Sequence, residues 1–180
     1  MEDLGDALAA AGEGLGKPRV REVRELRLLL PERAEGAGVP RLAEGHVRRG
    51  DAARKGDFVI GVVRDRELAT WLTSQSQGKK FGFQDVVVKN FKSVEEIVDC
   101  QVIYISDNIN FERNAAKIID KVGKDTLIMT EEEGATKHGS MINFVVRDNT
   151  LRFELSKSNA QMANIQFGQK LTDMSAAINL

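Results

Sequence analysis

Phe58-Val-Ile-Gly-Val-Val63 decides the fold, together with the residues directly after it: Arg64-Asp65, then Leu68, Trp71 and Leu72. Six apolar or glycine residues in a row are what a strand buried on both faces needs. The apolar residues after it switch to helical spacing, and Gly78 breaks the pattern. A strand that hands over directly to a helix is the opening of a parallel, crossover-built sheet.

Working outward, the alternation repeats. Val86-Val-Val88 reads as a second strand, and Ser93 with Glu96 has the capping-box spacing that starts a short turn of helix. Cys100-Gln-Val-Ile-Tyr-Ile105 is a third strand. Ser106 or Asp107 can cap the next helix, whose stripe is Phe111, Ala115, Ile118, Ile119 and Val122, with Gly123 closing it. Thr126–Thr130 is a fourth strand. Ile142–Val146 and Leu151–Leu155 flank the polar turn Asp148-Asn149 and read as a hairpin. A closing helix is expected to carry Phe167, Leu171, Met174 and Ile178. The expected fold is α/β: a mixed, mostly parallel sheet flanked by helices, ending in a β-hairpin and a helix.

Residues 1–54 have a different composition. They hold nine Arg and one Lys, Lys17, and no Ser, Thr, Asn, Gln, Ile, Phe, Tyr or Trp. From Lys55 on there are eleven Lys and five Arg, and every aromatic residue. A segment without aromatics cannot easily build its own core. It is expected to be weakly helical or disordered, with 55–180 as the domain. Met1 is followed by Glu2, Asp3 and Asp6, which does not read as a secretion signal. The abrupt change of composition suggests that 1–54 is not the natural upstream sequence.

The net charge of −1 gives no basic field for nucleic acid, and no apolar run approaches the length that spans a bilayer. Cys100 is the only cysteine, so neither an intrachain disulfide nor a cysteine metal site is expected. Gly12, Gly14, Gly16 and Lys17 fit no phosphate-loop spacing, and Pro18 stands where a Ser or Thr is needed. His46 and His138 share no metal-ligand spacing. His138 can contact a ligand, although a solvated loop histidine is the plainer reading. Glu131-Glu-Glu133 could chelate a cation, but adjacent carboxylates normally point several ways into water. Ser140 has no nucleophile elbow around it. No catalytic constellation, metal site or cofactor is expected.

Ligands of parallel sheets bind beyond the carboxyl ends of the strands. Here those ends are Arg64-Asp65, Ser106-Asp107 and Thr130-Glu131. Arg152 and Glu154 alternate with Leu151, Phe153 and Leu155, so they share the polar face of one strand. The candidate contact residues for a ligand or partner are therefore Arg64, Asp65, Asp107, His138, Arg152 and Glu154.

The carboxyl-terminal blocks Gly139-Ser-Met-Ile-Asn-Phe144, Asp148-Asn-Thr-Leu-Arg-Phe-Glu-Leu155 and Ser158-Asn-Ala-Gln161 resemble the YfiR-like family. Its members tend to show a G-G-M-I-x-F strand, an R-F-E strand and an N-x-A or S-N-A-Q helix start. Asp57–Val63 and Asp99–Ile105 resemble the family's upstream strands, so the likeness covers about residues 56–180. Gly139-Ser140 departs from the usual two glycines, and Cys100 lacks the partner found in members with disulfides. The segment 1–54 lacks the family's secretion signal and its Trp-Pro-containing first helix. The resemblance implies a periplasmic, non-catalytic regulator, often a homodimer, that acts by protein–protein binding on a membrane-bound diguanylate cyclase or sensor kinase. The alternative is a periplasmic small-ligand-binding domain using the crevice near Arg64, Asp107 and the 131–140 loop.

Overall fold

The computed structural model describes residues 56–147, 150–175 and 177–179. The weak helices expected in 1–54 and the turn at Asp148-Asn149 lie outside them. Eight strands form one sheet in the order β2-β3-β1-β4-β5-β6-β7-β8. They are β1 (Phe58–Val63), β2 (Lys80–Phe81), β3 (Gln84–Phe91), β4 (Val102–Ile105), β5 (Leu127–Thr130), β6 (Ile142–Arg147), β7 (Thr150–Ser156) and β8 (Ala177–Asn179). Strands β3, β1, β4, β5 and β6 run parallel. β2 and β7 are antiparallel to their neighbours β3 and β6, and β8 runs parallel to β7. The helices are α1 (Arg66–Ser76), α2 (Phe111–Val122), α3 (Lys157–Met162) and α4 (Gln169–Met174). The mixed, mostly parallel sheet and its hairpin are as expected.

Two apolar layers arise from the period-two alternation of the strands. Val63, Ile103, Ile105 and Ile128 face α2, which answers with Phe111, Ala115, Ile118 and Val122. Ile60, Val62, Tyr104 and Met129 face the other way, onto Leu68 and Leu72 of α1, and Ile142, Phe144, Phe153 and Leu155 extend that layer. Opposite faces are required. The crossover from β1 to β3 moves one way along the sheet and that from β4 to β5 moves the other, so right-handed connections put α1 and α2 on different sides. Gly61 in β1 leaves room for a neighbouring ring: a Cβ there would stand 2.8 Å from Phe91.

Three expectations needed correcting. The helix α2 is capped by Asn110, whose Oδ1 accepts from the Arg113 N–H at 2.8 Å, not by Ser106 or Asp107. A turn closed by the Ile109 N–H on the Ser106 carbonyl delays the helix. The Ser93/Glu96 capping box does not form. Glu96 Oε2 accepts from the Lys92 N–H, the Ser93 hydroxyl does not cap, and only a three-residue 3-10 turn, Val94–Glu96, comes next. The long closing helix is two short ones and a strand. Phe167 and Leu171 do pack on the core, but Ile178 sits in β8, opposite Leu155. Pairing the edge of β7 satisfies backbone groups that a longer helix would have left open.

Candidate functional site

The strand order reverses direction between β1 and β4. Reversals of this kind are the places where such sheets bind ligands. Arg64 takes the left-handed conformation, φ 62°, and its N–H donates to the Phe91 carbonyl at 2.9 Å. That sharp turn delivers Asp65 to the start of α1, where Oδ1 accepts from the Leu68 N–H at 2.9 Å. One carboxylate therefore caps the helix and faces the switch point. Asn108 ties the second loop to the first by donating to the Arg64 carbonyl at 3.4 Å.

The run Glu131-Glu-Glu133 is not a solvated loop, because its three carboxylates go to three destinations. Glu132 accepts from the Phe111 and Glu112 N–H groups, at 2.6 and 3.2 Å, and so closes the amino end of α2. Glu133 pairs with Arg147 at 3.5 Å. Glu131 turns into the switch point, beside Tyr104, Asp107 and Asp65. Burial, then the charges of Asp107 and Asp65, push its carboxyl up to about 7 despite the Tyr104 hydroxyl and the Asp107 backbone N–H beside it.

Tyr104 is 2 % exposed, and its hydroxyl has no partner in hydrogen-bond geometry; the Glu131 carboxylate faces it from outside that geometry. Burial and the Glu131 charge raise the phenol far above its ordinary value, so it stays protonated. Sequence reasoning placed Arg64, Asp65, Asp107 and the Thr130-Glu131 strand end at this crevice, but left Glu131 off the contact residues and missed Tyr104. Glu131 was hidden in a carboxylate run, and Tyr104 looked like one more core residue of a strand.

The other candidates lie elsewhere. His138 ends a 3-10 turn, Ala135–His138, and stands 3.6 Å from Glu112 at the start of α2. Glu154 is on the polar face of β7, where Arg147 reaches it at 3.3 Å and Asn143 Nδ2 at 3.4 Å. Behind Asn143 is a buried polar chain. Thr130 Oγ1 bonds Asn143 Oδ1 and Ser140 Oγ, both at 2.7 Å, and Asn159 donates to the Thr136 and Ser140 carbonyls. Arg152 shares the Glu154 face, opposite Val145, and is exposed. Among the described residues it has no ion pair.

Among the described residues, no three His, Cys, Asp or Glu side chains are grouped so as to hold a metal ion. Cys100 is buried, and desolvation followed by the Asp99 charge pushes its thiol up to about 12, which leaves it an inert core residue.

No curated protein sequence matches the chain. Among solved structures it is similar to a conserved domain protein from Vibrio cholerae O1 biovar El Tor, with a TM-score of 0.51 and 10% identity over 68% of this chain and 55% of that one. It is also similar to an ABC domain from Streptococcus pneumoniae solved in complex with L-Trp, with a TM-score of 0.47 and 10% identity over 67% of this chain and 54% of that one. The chain thus spans just over half the length of these structures, and the first likeness is one of fold alone. A model of the YfiR/HmsC-like family matches residues 45–176, about eleven residues earlier than the motifs indicated. The chain belongs to the YfiR/HmsC-like family, whose members are periplasmic regulators of diguanylate cyclase signalling rather than enzymes.

Proposed function

We propose that this protein is a non-catalytic cell-envelope regulator that binds another protein and restrains a membrane-bound diguanylate cyclase or sensor kinase. The family match over residues 45–176 carries the reading, because among the described residues it takes in all four helices and β1 to β7. Among the described residues no helix is long and apolar enough to cross a membrane. Export to the periplasm and pairing into a homodimer are part of the same proposal. The contact we assign is the polar face of β6 and β7. Arg152 is exposed there beside the Arg147 cluster, and an exposed guanidinium is well suited to a carboxylate-bearing partner.

The test is cellular cyclic-di-GMP. Deleting the gene is expected to raise it, and restoring the wild-type gene to lower it again. An Arg152→Glu protein that folds normally is expected not to restore it. An unchanged level on deletion would remove the cyclase reading. Full restoration by the variant would remove the assigned face.

A second reading has its own observation in the unpartnered Tyr104 hydroxyl at the switch point. On that reading the domain binds a small ligand between the ends of β1, β4 and β5, and the bound state is what the regulator reports. A saturable rise in melting temperature with a small molecule supports it.

A further inference from the structure

We propose that the switch-point crevice takes a small organic cation, an ammonium or guanidinium head on a short body; this rests on the small-ligand reading above.

The first ground is uncompensated charge. Asp65, Asp107 and Glu131 follow the ends of three adjacent parallel strands, and the charges of Asp107 and Asp65 both act on the Glu131 carboxyl. Among the described residues, no lysine, arginine or histidine forms an ion pair with any of them. The second ground is the Tyr104 hydroxyl, buried on the middle one of these three strands without a partner in hydrogen-bond geometry. A buried polar group left unpaired is a cost, and a bound ligand with a matching group removes it. The third ground is spacing. The acidic side chains do not form a group that could hold a metal ion. Separated acceptors instead suit a cation with several directed donors, three on an ammonium or five on a planar guanidinium. Asp65 has one oxygen committed to Leu68, which leaves the other for a ligand.

The protonation of Glu131 supports this assignment. Its carboxyl is pushed up to about 7, and the groups facing it are Tyr104 from β4, Asp107 after β4 and Asp65 after β1. A cation favours the ionised form, so binding releases a proton and weakens as the pH falls below neutrality.

Because the chain has one tyrosine, its ring resonances report this site alone. The full chain is titrated with methylguanidinium and n-propylammonium, and separately with magnesium, acetate and propanol. The expected result is a saturable shift of the Tyr104 ring with at least one organic cation, stronger at pH 8 than at pH 5.5. Losing one charge-assisted hydrogen bond in Glu131→Gln is expected to weaken binding by about tenfold. Tyr104→Phe is followed by melting temperature, which the cation is expected to raise less than in the wild type. The proposal fails if neither organic cation moves the ring, if magnesium moves it equally well, or if Glu131→Gln binds as the wild type does. A saturable shift with acetate or propanol, without one for the cations, overturns the cation and keeps the ligand-binding reading. No shift with any probe overturns both.

Discussion

Glu131 carries opposite consequences for stability and for binding. Its folded carboxyl titrates at about 7 against an ordinary 4.5, so the folded state holds that proton more tightly than the unfolded chain. The stabilisation from protonation is complete below about 4.5 and is lost as the pH rises through 7. The whole window is worth on the order of 3–4 kcal/mol, since each pH unit across it is about 1.4 kcal/mol. Glu131→Gln has no charge to bury. Relative to the wild type it should gain about 2 kcal/mol at pH 8 compared with pH 5, as read by urea unfolding at both values. An equal difference at the two pH values would show that Glu131 titrates normally. Gly139 is a second residue with a definite cost. Its φ is +110°, and an added Cβ would stand 2.7 Å from Ile119 Cδ1. Ile119 is exposed and can swing aside, so backbone strain is the larger effect, about 1–2 kcal/mol for Gly139→Ala. Adding Ile119→Ala should not restore the loss in thermal unfolding; full recovery would mean that the clash dominates. At this scale the sequence was least informative. Three adjacent glutamates look alike in one dimension, and their burial, capping and pairing are set by chain segments some twenty residues away.

Helix α2 shows how an element is completed from outside itself. Its own Asn110 satisfies one first-turn N–H, and Glu132, from the loop after β5, satisfies two more and places a negative charge at the positive end of the helix. Glu132→Ala removes both bonds and the charge, so it should cost about 1–2 kcal/mol; Glu132→Gln keeps an acceptor and should cost less. Urea midpoints of the two variants measure this, and equal losses would show that the charge contributes nothing. The apolar stripe of α2 was legible because Phe111, Ala115, Ile118 and Val122 recur at helical spacing and pack as that spacing requires. The tail was not legible. Phe167, Leu171, Met174 and Ile178 also fit a helix, yet Ile178 lies in β8 and pairs with Leu155, because an open sheet edge competes for the chain. Periodicity reports which residues seek burial; which element delivers them depends on edges that the sequence does not display.

At the scale of the whole molecule, the alternation of apolar runs and helical stripes was enough to specify a doubly wound sheet. Such a sheet in turn dictates a switch point, with Asp65, Asp107 and Glu131 just past the ends of three adjacent strands. The extent of the domain is a separate matter, because composition and family boundaries differ. The compositional break falls near residue 55, whereas the family match begins at residue 45. Residues 1–54 contain nine arginines, so trypsin has cleavage sites from Arg19 to Arg54. Cleavage needs a segment that opens locally, and a segment packed on the core is protected by the free energy of that packing. Limited digestion of the full chain, read by mass spectrometry, is therefore expected to leave a resistant core beginning near residue 55 with an unchanged melting temperature. A core beginning near 45, with a lower melting temperature on further trimming, would show that the family boundary is the physical one and that the Arg-rich stretch just before β1 contributes to stability. Protection of all of residues 1–54 would overturn the two-part division, because a segment with no aromatic residue would then have to hold itself against the sheet through its leucines and valines alone.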